Sequence, residues 1–168
     1  MPSIELAFDD AADAAVREDW EALQEAGLPS QARHTGASNR PHVTLLYANE
    51  PLDPPTITGL PMRLTIASPL VFGSAKRGFL LARLVRPSEE LLRVHRLLHE
   101  RVGDRPDIDP LTRPGAWTPH VTLARRIPAD ELGRALSIVS PGRSVDAIAV
   151  AARHWDLATR TVTPLAPG

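Results

Sequence analysis

Cysteine is absent from the 168 residues of this chain, which removes disulfides, thiolate nucleophiles and sulfur-liganded zinc from consideration. Any chemistry has to be carried by histidine, carboxylate, hydroxyl or arginine groups. Lysine is nearly missing too, since every basic residue but Lys76 is arginine. Arginine suits bidentate phosphate contacts, although Ala-, Arg- and Pro-rich composition is also what a GC-rich genome produces. Neither sign of charge is in excess, the formal net charge being -1. The chain therefore lacks the basic field with which proteins coat DNA or other long nucleic acids, while a small phosphate ligand is compatible with it. No apolar run is long enough to span a bilayer. The segment Met1-Pro2-Ser3-Ile4-Glu5 has neither the basic nor the apolar region of a secretion signal, so a cytoplasmic protein unattached to membranes is expected. The length fits a single folding unit over residues 1–168, two lobes sharing one core.

Periodicity orders the elements. Ser3 to Phe8 alternates as a half-buried strand does, and Asp9-Asp10 caps a helix whose apolar positions Ala14, Val16, Trp20 and Leu23 run to a stop at Gly27-Leu28-Pro29. Trp20 belongs to the core stripe of that helix. Residues Pro29 to Arg40 form a loop. His42 to Ala48 is strand-like, and Met62 to Phe72 with Gly78 to Val85 forms a hairpin. A second helix opens at Pro87-Ser88-Glu89-Glu90 and ends at Gly103, followed by a proline-rich loop from Asp104 to Ala116. Thr118 to Arg125 is the next strand, Pro128 to Val139 a short helix, and Ser144 to Ala152 and Trp155 to Val162 two closing strands. This order predicts an α+β fold with mainly antiparallel sheets.

One pentapeptide occurs twice. Pro41-His42-Val43-Thr44-Leu45 returns unchanged as Pro119-His120-Val121-Thr122-Leu123, 78 residues later, each time after a loop and at the start of a strand. Side chains alternate along a strand, so His42 and Thr44 share one face, and His120 and Thr122 do the same, with Val43, Leu45, Val121 and Leu123 turned to the core. If both strands face one cleft, two imidazoles and two hydroxyls converge there. That set suits a phosphodiester: a neutral histidine takes a proton from the nucleophile while a protonated one gives a proton to the leaving oxygen. An ordinary pKa near 6.5 makes histidine fit for either role. The threonine hydroxyls can hold the non-bridging oxygens without a metal.

Two such motifs in a chain of this size resemble the signature of the 2H (two-histidine) phosphoesterases, and His120-Val121-Thr122-Leu123-Ala124-Arg125 is similar to the bacterial and archaeal 2'-5' RNA ligase/cyclic phosphodiesterase branch. The resemblance covers nearly the whole chain. It implies a bilobal, pseudo-twofold α+β fold, with mainly antiparallel sheets around a central cleft and helices on the outside. It further implies His42, Thr44, His120 and Thr122 as catalytic groups, no metal or cofactor, and activity on 2',3'-cyclic phosphates or 2'-5' linkages of RNA or small nucleotides. A monomer is expected. Two rival readings are a cleft that binds a nucleotide or RNA end without turnover, and an enzyme of this type for a non-RNA cyclic phosphodiester. Arg125 matches an arginine that follows the second motif in that branch, but strand alternation sets it on the face opposite His120 unless a bulge intervenes.

Candidate substrate contacts besides Arg125 are Tyr47 at the end of the first motif strand, His34 in the loop before it, and Trp117, which could stack on a base or pack between lobes. His95 and His99, four apart on the second helix, have a spacing able to chelate a metal. Arg96 stands where a metalloprotease pattern needs glutamate, so a solvated helix face is the expectation.

Overall fold

The computed structural model describes residues 2–36, 38–139 and 143–165. The chain runs β1 (Pro2–Phe8), α1 (Asp10–Glu25), β2 (His42–Tyr47), β3 (Met62–Ser74), β4 (Gly78–Val85), α2 (Glu89–Val102), β5 (His120–Ile127), α3 (Leu132–Val139), β6 (Val145–Asp156) and β7 (Thr161–Pro164). The strands form one antiparallel sheet in the order β2-β1-β6-β3-β4-β5, with β7 paired to the far end of β6. The fold is thus α+β, as expected. Both termini of α2 follow local chemistry. Ser88 caps it by accepting from the Leu91 amide, and Gly103, at φ 80, ends it.

The sheet has an internal twofold pattern. Each half is a strand–helix–strand unit, β1-α1-β2 and β4-α2-β5, whose two strands pair directly. The halves meet where β6 runs beside β3. One face of the sheet carries Ile4, Leu6, Val43, Leu45, Leu81, Val121 and Leu123, all but closed to solvent, against Val16, Trp20 and Leu23 of α1 and Leu91, Val94 and Leu98 of α2. The motif strands β2 and β5 are the two outermost strands of this sheet, yet they also pack against each other. The sheet therefore bends until its ends meet.

Side chains from elsewhere close that joint. Edge strands expose carbonyls that must find donors. The Trp117 indole donates to the Thr44 carbonyl (2.9 Å), and the Trp20 indole donates to the Thr122 carbonyl (3.1 Å). His99 lies 3.3 Å from the Leu45 carbonyl through Nε2. Each helix thus reaches the motif strand of the other half. Arg83 of β4, only 5% exposed, ties the same halves together: its guanidinium engages both carboxylate oxygens of Asp19 on α1 and the carbonyl of Val139 at the end of α3.

Three sequence expectations change. The closing strands divide elsewhere: β6 runs unbroken through Arg153 and His154, and the turn falls at Leu157–Arg160. Across the ladder from Arg153 stands Glu5, which accepts from it at 2.8 Å and lets the charged residue continue the strand. The third helix begins late, after a 3-10 turn over Ala129–Glu131. His95 and His99 do not form a solvated face. His95 is 2% exposed, its ring stacked on Trp117 at 3.9 Å and its Nε2 2.8 Å from the Thr112 carbonyl.

Burial holds His95 neutral, with its pKa lowered to about 4 from 6.5. An unfolded chain takes up that proton first, so this contribution to stability is complete above pH 6.5 and is lost as pH falls toward 4. Denaturant melts between pH 7 and 4 should show a loss on the order of 3 kcal/mol from this group, and His95→Leu should flatten the curve. Asp19→Ala strands the buried Arg83 charge, and its melt at pH 7 should show a loss of roughly 3–5 kcal/mol.

Candidate active site

The face of the sheet turned away from the helices carries the motif polar groups. His42 and Thr44 of β2, and His120 and Thr122 of β5, are all half-buried, between fully buried Val43, Leu45, Val121 and Leu123. The proline before each histidine restricts the residue before it to extended backbone. The carbonyl of that residue then meets the imidazole: Arg40 O lies 2.7 Å from His42 Nδ1, and Thr118 O lies 2.7 Å from His120 Nδ1. A carbonyl only accepts, so Nδ1 carries the hydrogen in both rings and Nε2 is left for chemistry. Arg40 is itself anchored to α1 through Asp13 at 3.2 Å.

Both strands bulge at the same place. Glu5 pairs with Thr44 and Ile4 with Leu46, leaving Leu45 over; Ala82 pairs with Thr122 and Leu81 with Ala124, leaving Leu123 over. The extra residue reverses the alternation. Leu46 and Ala124 become core residues, while Tyr47 and Arg125 return to the histidine face. The condition attached to Arg125 is met. Its charge bears on His120, whose pKa is lowered first by burial, then by Arg125 and by His42, against the opposing pull of the Thr118 carbonyl. The effect of His42 on His120 shows that the two imidazoles are close enough to interact electrostatically.

The floors beneath the two motifs differ. By strand register, Glu5 and Arg153 stand beside Thr44 where Ala82 and Leu70 stand beside Thr122; Ser3 and Trp155 occupy the places of Leu80 and Phe72. Small Ala82 leaves room for Phe72 to lie against His120, ring centres 4.8 Å apart. On the other side Glu5, 4% exposed, accepts from Ser3 Oγ (2.7 Å) and Arg153 Nε (2.8 Å) and places Oε1 3.6 Å from His42 Nε2. Arg153 Nη2 approaches His42 Nδ1 at 3.5 Å; both atoms bear hydrogen there, so this is a contact rather than a bond. A cavity of about 510 Å³ opens beside His42, lined by Glu5, Arg33, His34, Arg153 and Trp155 among others.

His34 thus shares a cavity with His42, whereas Trp117 is engaged elsewhere, one face on His95 and its N–H on Thr44. Glu5, Arg153, Trp155 and Phe72 were not singled out from the sequence. They lie on strands distant in the chain, and only register brings them to the motifs. Among the described residues no group of three or more His, Asp or Glu side chains is gathered to hold a metal ion.

The comparisons with known proteins agree with this architecture. Residues 11–162 match the model of the 2'-5' RNA ligase superfamily. No curated protein matches the chain by sequence. Among solved structures, Usb1 of Kluyveromyces marxianus superimposes with a TM-score of 0.52 over 98% of this chain and 96% of that one, at 13% identity. Together with the paired motifs on matched, bulged strands, the match places this chain in the 2'-5' RNA ligase superfamily of 2H phosphoesterases.

Proposed function

We propose that the protein is a metal-independent phosphodiesterase that cleaves a 2',3'-cyclic phosphate or a 2'-5' phosphodiester of RNA or a small nucleotide. The observation that carries the reading is the pair of imidazoles, each locked by a backbone carbonyl at Nδ1 with Nε2 left over, on matched positions of two strands that meet. Acid–base catalysis needs one such nitrogen bare and the other protonated at the same moment.

The surroundings divide those roles. His120 is buried and feels Arg125, both of which disfavour its cation, so it serves as the base. His42 then serves as the acid, with the Glu5 carboxylate 3.6 Å from the nitrogen that carries the proton. Thr44 and Thr122 donate to the non-bridging oxygens, and Arg125, returned to this face by the bulge, adds positive charge where negative charge builds up in the transition state. Tyr47, its counterpart in the first motif, borders the substrate on the other side.

The proposal is tested with 2',3'-cyclic nucleotides and 2'-5' dinucleotides in the presence of EDTA. Turnover should persist there, and His42→Ala and His120→Ala should each lower kcat by roughly 100- to 10,000-fold. Loss of activity in EDTA with recovery on adding a divalent cation would sink the metal-free mechanism. Absence of turnover on every substrate would favour a binding role.

The pH profile gives an independent check. Because the His120 pKa is lowered, the acid limb of kcat/KM should lie below pH 6.5, the base becoming inactive as it protonates. Arg125→Ala removes a repelling charge, so the His120 pKa rises and the acid limb moves to higher pH, though not fully to 6.5 because burial is the larger cause.

A further inference from the structure

The twofold pattern makes the cavity beside His42 conspicuous. In the β5 half, the place corresponding to Glu5 is Ala82, that of Arg153 is Leu70, and Phe72 closes down on His120. In the β2 half the same places hold a buried carboxylate and a buried guanidinium, each exposed by less than a tenth, and Trp155 borders open space. A buried ion pair of this kind is poorly justified by stability alone, since apolar residues of similar size serve as well. The other half illustrates this with Ala82 and Leu70.

The volume, about 510 Å³, is within the range of small-molecule sites. Its lining is specific in kind. Trp155 offers an indole on which a planar base can stack. Glu5 is a pure acceptor, its remaining lone pairs suited to ribose hydroxyls or base N–H groups. Arg33 and His34 stand at the exposed rim, where a further phosphate would pass.

We propose that this cavity is the subsite for the leaving nucleoside, with Trp155 as its stacking surface and Glu5, held by Arg153 and Ser3, as its polar contact. The proposal rests on the catalytic reading above and narrows its substrate to an open phosphodiester joining two nucleosides, over a 2',3'-cyclic phosphate. In the step concerned, an attacking hydroxyl or water forms a new P–O bond as its proton passes to His120 Nε2. The P–O bond to the leaving nucleoside breaks with its electron pair on oxygen, and the His42 Nε2 proton neutralises that oxygen. The acid must touch the leaving group, and the cavity adjoins the acid. Opening a 2',3'-cyclic phosphate is the reverse of that step with water in the leaving nucleoside's place and the two histidines exchanging roles, so its single nucleoside lies on the His120 side and the cavity holds only water.

The test compares adenylyl-(2'-5')-adenosine with 2',3'-cyclic AMP on the full chain. Turnover is followed in the wild type, and binding by calorimetry in His120→Ala, with and without Trp155→Ala, Trp155→Phe or Glu5→Gln added. Trp155→Ala should weaken the dinucleotide by roughly 5- to 150-fold in Kd and in KM, leave the cyclic nucleotide within about twofold, and be largely rescued by Trp155→Phe. Because the Glu5 carboxylate also stands beside His42 Nε2, Glu5→Gln is read by binding alone, where it should weaken the dinucleotide. Equal losses for both ligands, or no loss for the dinucleotide, overturn the subsite. If selective, Trp155-dependent binding occurs but the wild type turns over neither compound, the subsite stands and the hydrolytic reading fails. Turnover of the dinucleotide without Trp155 dependence rejects the subsite and leaves the hydrolytic reading intact, and absence of binding by either ligand rejects both.

Discussion

A sheet that ends in two motif strands can bring them together only by bending, and the bend has to satisfy the backbone it exposes. Two indole N–H groups do this, from Trp117 to the Thr44 carbonyl and from Trp20 to the Thr122 carbonyl. Both acceptors belong to the catalytic threonines of the proposed mechanism. The bonds that close the joint therefore also fix the strands at the point where the chemistry is proposed. Each indole sits in a layer that resists displacement: Trp117 is stacked on His95, and Trp20 is 3% exposed with Arg17 over its ring. Arg83, gripping Asp19 and the end of α3, holds the same halves from the helix side.

Symmetry and its breaking have separate purposes. The repeated features are those that aim groups: the proline that presents a carbonyl to Nδ1, the buried valine and leucine, and the bulge that returns Tyr47 and Arg125 to the histidine face. The features that differ are those that set electrostatics. Burial and Arg125 disfavour a cation at His120, while a carboxylate stands beside His42. Two identical imidazoles in identical pockets would share a single proton with no preference for which is acid and which is base. The differing floors give a twofold scaffold a direction.

Membership of the 2'-5' RNA ligase superfamily accounts for the scaffold, and the likeness to Usb1 at 13% identity concerns the fold alone. The local floor of Glu5, Arg153 and Trp155 is where the chain states its own preference.

The strands and helices with strong period, the matched pentapeptides and the polar face of each motif strand are legible in the sequence, because these depend on neighbours along the chain. The sequence also allowed for a bulge at Arg125 without being able to demand one, since an extra residue is defined only against the partner strand. His95 reads as a surface group, because an imidazole looks solvated until its partner is known. Tertiary structure alone decided those partners: Glu5 for Arg153, Thr112 and Trp117 for His95, Phe72 for His120. Register across the sheet is a relation between residues as far apart as Glu5 and Arg153, and no local pattern records it.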